Sequence, residues 1–197
     1  MEKLSTLNLT FDRVIIQLVT PGLIASYPYI LLFFQARPDC EDFFLSNKDG
    51  LLIAFLIIIG LIVGLLLENI GSRIEVHYYD ERQKKEDRKF IKTWQKFLQL
   101  QIKNNEDKEP IGLSYTRNIV FRMKFELSAG VALLLMAIGL AIYDHNEVIF
   151  ENCIVNTFFI YVLPIGISAY LLLVEGYSSA KVLAQTRKLL VKKYYPK

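Results

Sequence analysis

The stretch LLIAFLIIIGLIVGLLL, Leu51 to Leu67, contains only apolar residues and glycine. A helix that lines the core of a soluble protein needs a polar stripe for its water-facing side, and this segment has none. It must therefore be surrounded by apolar matter on every side. With about 17 residues, it is close to the length that crosses the ~30 Å hydrocarbon layer of a bilayer, so it predicts a transmembrane helix.

Three further apolar blocks accompany this stretch. The chain has 197 residues, of which 53% are hydrophobic, and a mean hydropathy of +0.31, which exceeds what one soluble core needs. The other blocks lack Asp, Glu, Lys, Arg and His, and they cover residues 14–34, 127–143 and 154–174. The sequence thus predicts an all-α protein with a four-transmembrane-helix bundle.

The distribution of lysine and arginine predicts the orientation of the chain. Of 23 such residues, 21 lie in residues 1–13, 68–126 and 175–197, and two lie in residues 35–50 and 144–153. By the positive-inside rule, both termini and the long middle segment are expected in the cytoplasm.

The predicted organisation has four parts. Residues 1–70 form a first transmembrane hairpin with spans at 14–34 and 51–67, and residues 71–126 form a cytoplasmic helical hairpin. Residues 127–175 form a second transmembrane hairpin with spans at 127–143 and 154–174. Residues 176–197 form a basic amphipathic tail helix. The middle part is expected to start as an extension of the second span, because residues 74–102 lack Gly and Pro and repeat apolar residues every three or four positions. Pro110 and Gly112 then supply the turn.

The stretch DERQKKEDRK, Asp80 to Lys89, carries mixed charges in the first arm of that hairpin. Mixed signs at helical spacing are typical of a solvated face, and nucleic-acid binding is the sharper alternative. Direct nucleic-acid binding is not expected, because acids interrupt the basic stripe that phosphate recognition needs. The candidate partner-binding residues are Arg82, Lys84, Lys85, Arg88, Lys89, Lys92, Trp94 and Lys96.

The tail SSAKVLAQTRKLLVKK, Ser178 to Lys193, combines cations with an apolar side. Such a helix is predicted to lie along anionic lipid head groups, where each cation contributes about 1 kcal/mol. The candidate lipid-binding residues are Lys181, Arg187, Lys188, Lys192 and Lys193. The alternative is packing of this helix against the cytoplasmic hairpin.

Gly60 and Gly64 form a small-residue groove of the kind that lets membrane helices approach closely. Small residues of the third span, including Ser128 and Ala132, are candidates to sit against it. They can belong to the same chain or to another copy, so the sequence leaves helix packing and a homo-oligomer interface both open.

Cys40 and Cys153 fall on the same predicted side of the membrane, outside the cytoplasm. A disulfide between them is possible there, and two unpaired thiols are the alternative.

Three carboxylates, Glu68, Glu126 and Glu175, occur at similar depth, where the second, third and fourth spans leave the hydrocarbon. They could form a metal-binding ring, but pairing with Arg73, Arg122 or Lys124 is the favoured interpretation. No metal and no cofactor is predicted. Arg73 is expected to reach lipid phosphates by extending its side chain along the helix.

Catalytic chemistry is not expected. The two histidines, His77 and His145, fall on opposite predicted sides of the membrane, and no hydrolase, zinc-protease or phosphate-loop motif is present. The spans carry prolines and glycines but no ionisable residue, which disfavours a pump. A small channel or transporter subunit remains the alternative to a non-enzymatic accessory protein.

In length and layout, the chain resembles the multi-span accessory proteins encoded beside RNA-targeting type VI-B CRISPR effectors. The stretches compared are LLLENIGSRIEV (65–76) and EPIGLSYTRNIVFRMKFEL (109–127). The resemblance covers the architecture of the chain and transfers no functional residue. It implies a prokaryotic inner-membrane protein that modulates an antiviral nuclease system through a cytoplasmic protein partner.

Overall fold

The structure, a computed structural model, describes residues 15–46, 50–103, 111–147 and 158–194. Within these ranges the chain is helical apart from short turns and contains no strand, which confirms the all-α expectation. The α-helices are α1 (Thr20–Ala36), α2 (Pro38–Ser46), α3 (Leu51–Ile74), α4 (Glu81–Glu86), α5 (Phe90–Lys103), α6 (Ile111–Glu147) and α7 (Leu163–Tyr194). There are three π-helical turns among the described residues. Ile15–Val19 precedes α1, Glu75–Asp80 joins α3 to α4, and Phe158–Val162 precedes α7.

Four helices are long and apolar enough to cross a membrane. They are Ile15–Ala36, Leu51–Glu86, Gly112–Tyr143 and Ile160–Tyr194. Each contains or overlaps one predicted span. By length and composition, the chain is a multi-pass membrane protein with an all-α bundle.

The bundle has a close-packed centre and a peripheral fourth helix. Helices α1, α3 and α6 pack against one another, and α7 packs along α6. Small side chains allow the close approach at the centre, where Ala25, Ala132, Val131 and Leu67 form one buried cluster. A second cluster, with Met123, Leu127 and Leu183 among its members, continues the core past the apolar spans. We call this end, formed by residues 68–103, 111–126 and 175–194, the charged end.

The two longest helices extend beyond a bilayer at the charged end. Helix α6 has 37 residues and α7 has 32. At 1.5 Å per residue they measure ~55 and ~48 Å, against ~30 Å of hydrocarbon. Both helices continue through the predicted boundaries after residues 126 and 175, although Gly176 directly follows the second boundary. Glu126 and Glu175 are both paired with Arg122 there. Residues 111–126 and 175–194 are thus continuous with the membrane-spanning parts of α6 and α7.

The extension of the second span differs from the prediction at Asp87. The helix that begins at Leu51 ends at Glu86, and Asp87 adopts an extended conformation (φ −129°, ψ 103°). The Asp87 carboxylate accepts a hydrogen bond of 2.9 Å from the backbone N–H of Lys89, a local turn that competes with helix continuation. Helix α5 then packs on α7. The sequence analysis expected the first part of α6 as its hairpin partner, and among the described residues the main packing of α5 is against α7.

Candidate interaction surface at the charged end

A layer of ion pairs lies where the apolar spans end. Lys124 Nζ is 3.1 Å from Glu68 Oε1, and Arg122 contacts both Glu126 (Nε to Oε1, 2.6 Å) and Glu175 (Nη2 to Oε1, 2.5 Å). The three carboxylates that the sequence placed at similar depth are thus each paired with a cation. Within the described residues, no group of His, Cys, Asp and Glu is arranged to hold a metal ion.

The buried member of this layer is Glu126, whose carboxylate also accepts a hydrogen bond of 2.7 Å from the Ser179 hydroxyl. The Tyr79 hydroxyl donates to the Leu173 carbonyl at 2.7 Å, and the Tyr79 ring lies against that of Tyr177. These contacts join α6, α7 and the π-helical turn after α3. The start of the charged end is therefore a packed, hydrogen-bonded structure.

Helix α5 is held on α7 by an aromatic and cationic contact. The guanidinium carbon of Arg187 lies 3.7 Å from the centroid of the Trp94 ring and 5.5 Å from that of Phe97. Arg187 is only 9% exposed, and Phe97 and Leu183 are each 2% exposed. The sequence assigned Trp94 to a partner and Arg187 to lipid, but the structure places them in contact with each other. Arg187 is therefore buried away from lipid, and Trp94 is half-buried against it.

The turn at Asp87 is attached to α7 by two further contacts. Lys188 Nζ lies 2.9 Å from Asp87 Oδ2, and the Tyr177 hydroxyl donates to Glu86 at 3.3 Å. The hydrogen bond from Lys188, together with that from the Lys89 N–H, lowers the pKa of the Asp87 carboxyl below its ordinary value. Asp87 thus remains ionised and anchors the turn. Lys188, a predicted lipid-binding residue, is engaged in this contact.

The turn and the helices beside it present a row of exposed cations, which we call the basic ridge. Its members are Lys84, Lys85, Arg88, Lys89, Lys92 and Lys96. Arg82, also predicted as partner-binding, is exposed too, but it pairs with Glu86 at 3.6 Å and lies over the Tyr177 ring. The structure therefore separates the predicted set: six residues form a ridge, and Arg82 and Trp94 contribute to internal contacts.

The basic ridge is separated from the predicted end of the second span by several turns of helix. Lys84 follows Leu67 by 17 residues on the continuous helix Leu51–Glu86, which corresponds to ~25 Å along the helix axis. The head-group layer on each side of the hydrocarbon is only ~5–8 Å thick. If the span ends at Leu67 as predicted, this length of helix exceeds the thickness of the head-group layer.

The basic tail also points away from the membrane. Helix α7 continues from the fourth span without a break, so Lys192 lies ~27 Å past Val174, whereas Lys181 lies ~10 Å past it. A helix that crosses the bilayer cannot also lie flat along the head groups without bending. The tail takes the alternative arrangement, packing against α5. Lipid contact stays a prediction for Lys181 and does not suit Lys192 or Lys193.

The glycine groove of the second span is occupied within the chain. A Cβ added to Gly64 would overlap the carbonyl oxygen of Leu18, and a Cβ added to Gly22 would overlap that of Gly60. The first span occupies the groove, because Gly22 lets the backbones of α1 and α3 approach closely. The sequence analysis had offered the third span for this position. Ser128 lies instead beside Gly71, and Ala132 is fully buried between the helices.

Polar side chains of the first span bond to backbone atoms. The Ser26 hydroxyl donates to the Gly22 carbonyl at 2.8 Å, and the Tyr29 hydroxyl donates to the Leu135 carbonyl at 3.1 Å. These hydroxyls are satisfied by the fold, so no observation here favours a water-lined path through one copy.

The predicted disulfide remains a prediction. Cys40 lies on α2 and is half-buried. Cys153 lies outside the described residues.

Sequence reasoning missed Asp87, Tyr79 and Tyr177. An aspartate two residues before a lysine, in the middle of a charged helical pattern, is a signal for a local turn that was available at Asp87. The two tyrosines gave no comparable signal, since 98 residues separate them in the chain. Their contact follows only from the packing of α7.

No protein-family model, no curated protein and no solved structure matches this chain.

Proposed function

We propose that this chain is a non-enzymatic, multi-pass membrane protein that holds a docking platform for a soluble partner with an acidic surface. The observation that carries the proposal is the basic ridge. Six exposed cations fall within residues 84–96, on α4, on the turn at Asp87 and on α5, and the first of them lies roughly 25 Å along the helix axis past the predicted end of the second span. An excess of exposed positive charge speeds and orients the approach of an acidic protein surface.

The platform is suited to binding because it is pre-organised. The turn that carries Arg88 and Lys89 is fixed to α7 through Asp87 and Lys188, and α5 is fixed through Phe97 and Trp94. A surface that is already ordered loses less conformational entropy when a partner binds. The ridge therefore has the properties of a permanent docking surface.

Lipid and nucleic acid suit the ridge less well than an acidic protein. Lipid of the same bilayer suits the ridge poorly, because the length of helix between the span and the ridge exceeds the thickness of the head-group layer. Exposed Glu81 and Glu86 lie beside the cations, and the one tryptophan, Trp94, stacks on Arg187. A phosphate backbone would meet these carboxylates, and no exposed indole is offered for base stacking.

The cellular setting follows from the charge asymmetry and from the family resemblance, and it is part of the proposal. We place the charged end in the cytoplasm of a prokaryote, under the inner membrane, where it modulates a soluble component of an antiviral defence system. A homo-oligomer is compatible with this role. Its interface would use a surface other than the Gly60 and Gly64 groove, which α1 occupies.

Reversing the ridge charges tests the docking role. The variant Lys84→Glu, Lys85→Glu, Arg88→Glu and Lys89→Glu is compared with Lys192→Glu and Lys193→Glu, which reverses two exposed cations at the end of α7. Both are expressed in the native host and purified from gently solubilised membranes, and co-purifying soluble proteins are quantified by mass spectrometry. We expect the ridge variant to lose its soluble partner by about tenfold or more, because charge repulsion replaces attraction.

Equal insertion of both variants into membranes is the control for folding. If the wild type and the ridge variant recover the same soluble proteins in the same amounts, the docking role is refuted. Unchanged protection of the host against phage by the ridge variant would refute the defence setting.

A further inference from the structure

A small pocket lies between the turn at Asp87 and helix α7. Residues of α4, of the turn, of α5 and of α7 line it, and its volume is about 230 Å³. Sites for drug-sized ligands measure roughly 300–1,000 Å³. The pocket is small for such a ligand, and it suits a side chain that a protein partner inserts.

A buried amide without a hydrogen bond lines this pocket. Gln83 is one of the lining residues and is only 7% exposed. Its side-chain amide forms no hydrogen bond with any residue that the structure describes. Buried side-chain amides are usually bonded, because an unpaired one costs free energy. The pocket therefore offers a donor and an acceptor that a ligand can satisfy.

The charge that remains available in the pocket is positive. Of its two carboxylates, Glu86 accepts a hydrogen bond from Tyr177, and Asp87 accepts one from Lys188. Lys181 also lines the pocket, is exposed, and forms no ion pair with a described carboxylate. These groups favour an anionic ligand. A phosphate monoester, with a charge of about −1.5 to −2, is repelled by the two wall carboxylates more strongly than a singly charged carboxylate is.

The pocket adjoins the basic ridge. Three of its residues are each next in sequence to a ridge cation, and these pairs are Gln83 with Lys84, Asp87 with Arg88, and Thr93 with Lys92. Consecutive residues of a helix point about 100° apart, so the ridge and the pocket occupy neighbouring faces of the same elements. A protein that covers the ridge therefore reaches the pocket with an adjacent segment.

We propose that the pocket binds an acidic side chain, together with the peptide group beside it, from the soluble partner. Lys181 pairs with the carboxylate, and the Gln83 amide donates to and accepts from the peptide group. The Phe90 ring contacts the methylene groups of the inserted side chain. This inference rests on the proposed docking role. It adds a position at which the partner's sequence is recognised, because attraction to the ridge alone requires only net negative charge.

The test uses a substitution that leaves the charge of the protein unchanged. Gln83→Met removes the amide and keeps the length of the side chain, and Gln95→Met is the matched control, because Gln95 is exposed on α5 and does not line the pocket. The full chain is placed in nanodiscs of phosphatidylcholine, a lipid without net charge, and binding of a fluorescein-labelled hexaglutamate peptide is measured by fluorescence anisotropy. We expect Gln83→Met and Lys181→Gln each to weaken binding by about fivefold, the effect of one hydrogen bond, and Gln95→Met to leave it unchanged.

Thermal unfolding separates a binding role of Gln83 from a structural one. Since its amide has no partner within the described residues, Gln83→Met should unfold at the wild-type temperature or above it. Unfolding at a clearly lower temperature would overturn the pocket proposal, because the amide would then stabilise the fold. Wild-type affinity of Gln83→Met for the peptide would overturn it as well.

Co-purification from the native host separates the pocket from the ridge. Loss of the soluble partner in both the ridge variant and Gln83→Met supports both proposals. A partner lost only by the ridge variant leaves the docking role intact and refutes the pocket. A ridge variant that keeps its partner refutes the docking role, and a loss of peptide affinity of about fivefold in Gln83→Met would still support the pocket.

Discussion

Replacing Gly64 with isoleucine is expected to prevent the first two spans from packing. A side chain at this position would run into the backbone of Leu18, which cannot move aside as a flexible side chain can. Overpacking of a close-packed interior costs about 1–3 kcal/mol and more when backbone must shift, so we expect at least ~3 kcal/mol. The measurement is the fraction of folded protein and its thermal unfolding in mild detergent.

Gly166→Ile is the matched control for this prediction. It also lies in a membrane helix, but a Cβ built there has no heavy atom within 4 Å. It should unfold at nearly the wild-type temperature. If Gly64→Ile dissociates an oligomer and leaves a folded monomer, the groove is a subunit interface and the packing of α1 against it is contradicted.

Replacing Phe97 with alanine is expected to release α5 from α7. Phe97 is 2% exposed and supports the Trp94 and Arg187 contact from below. Loss of a buried phenylalanine costs about 3–5 kcal/mol. The expected result is rapid amide hydrogen exchange across residues 90–103, with exchange in the spans unchanged.

Leu98→Ala is the control for the Phe97 experiment. Its side chain is 40% exposed and lies about 100° around the helix from Phe97, so its removal should change exchange in α5 little. Slow exchange in Phe97→Ala, equal to that of the wild type, would show that α5 is not held by this contact. The docking platform would then lose its structural basis.

The membrane spans were predictable because their signal is local. The run from Leu51 to Leu67 has no polar side, and this alone requires a lipid or protein environment all round it. The turn at Asp87 was not predicted, since the helical pattern of apolar residues continues on both sides of it. The competing local hydrogen bond to Lys89 decides the conformation there.

The helix against which α5 packs could not be predicted from the sequence either. The apolar side of α5 indicates that it packs on something, but it does not say whether that is α6 or α7. The same holds for Arg187, because a cation on an amphipathic helix can meet a phosphate or the face of an indole equally well. The exposure of the six basic-ridge residues could be predicted from the sequence, because a segment this rich in charged residues faces water.

The side of the membrane on which the basic ridge lies tests the account most directly. A single cysteine is placed at Lys85, in a chain that carries Cys40→Ser and Cys153→Ser, and is labelled with a membrane-impermeant maleimide. We predict labelling in inside-out membrane vesicles and none in intact cells, since the ridge faces the cytoplasm clear of the lipid. Labelling in intact cells would place the ridge outside and contradict both the orientation and the proposed docking role.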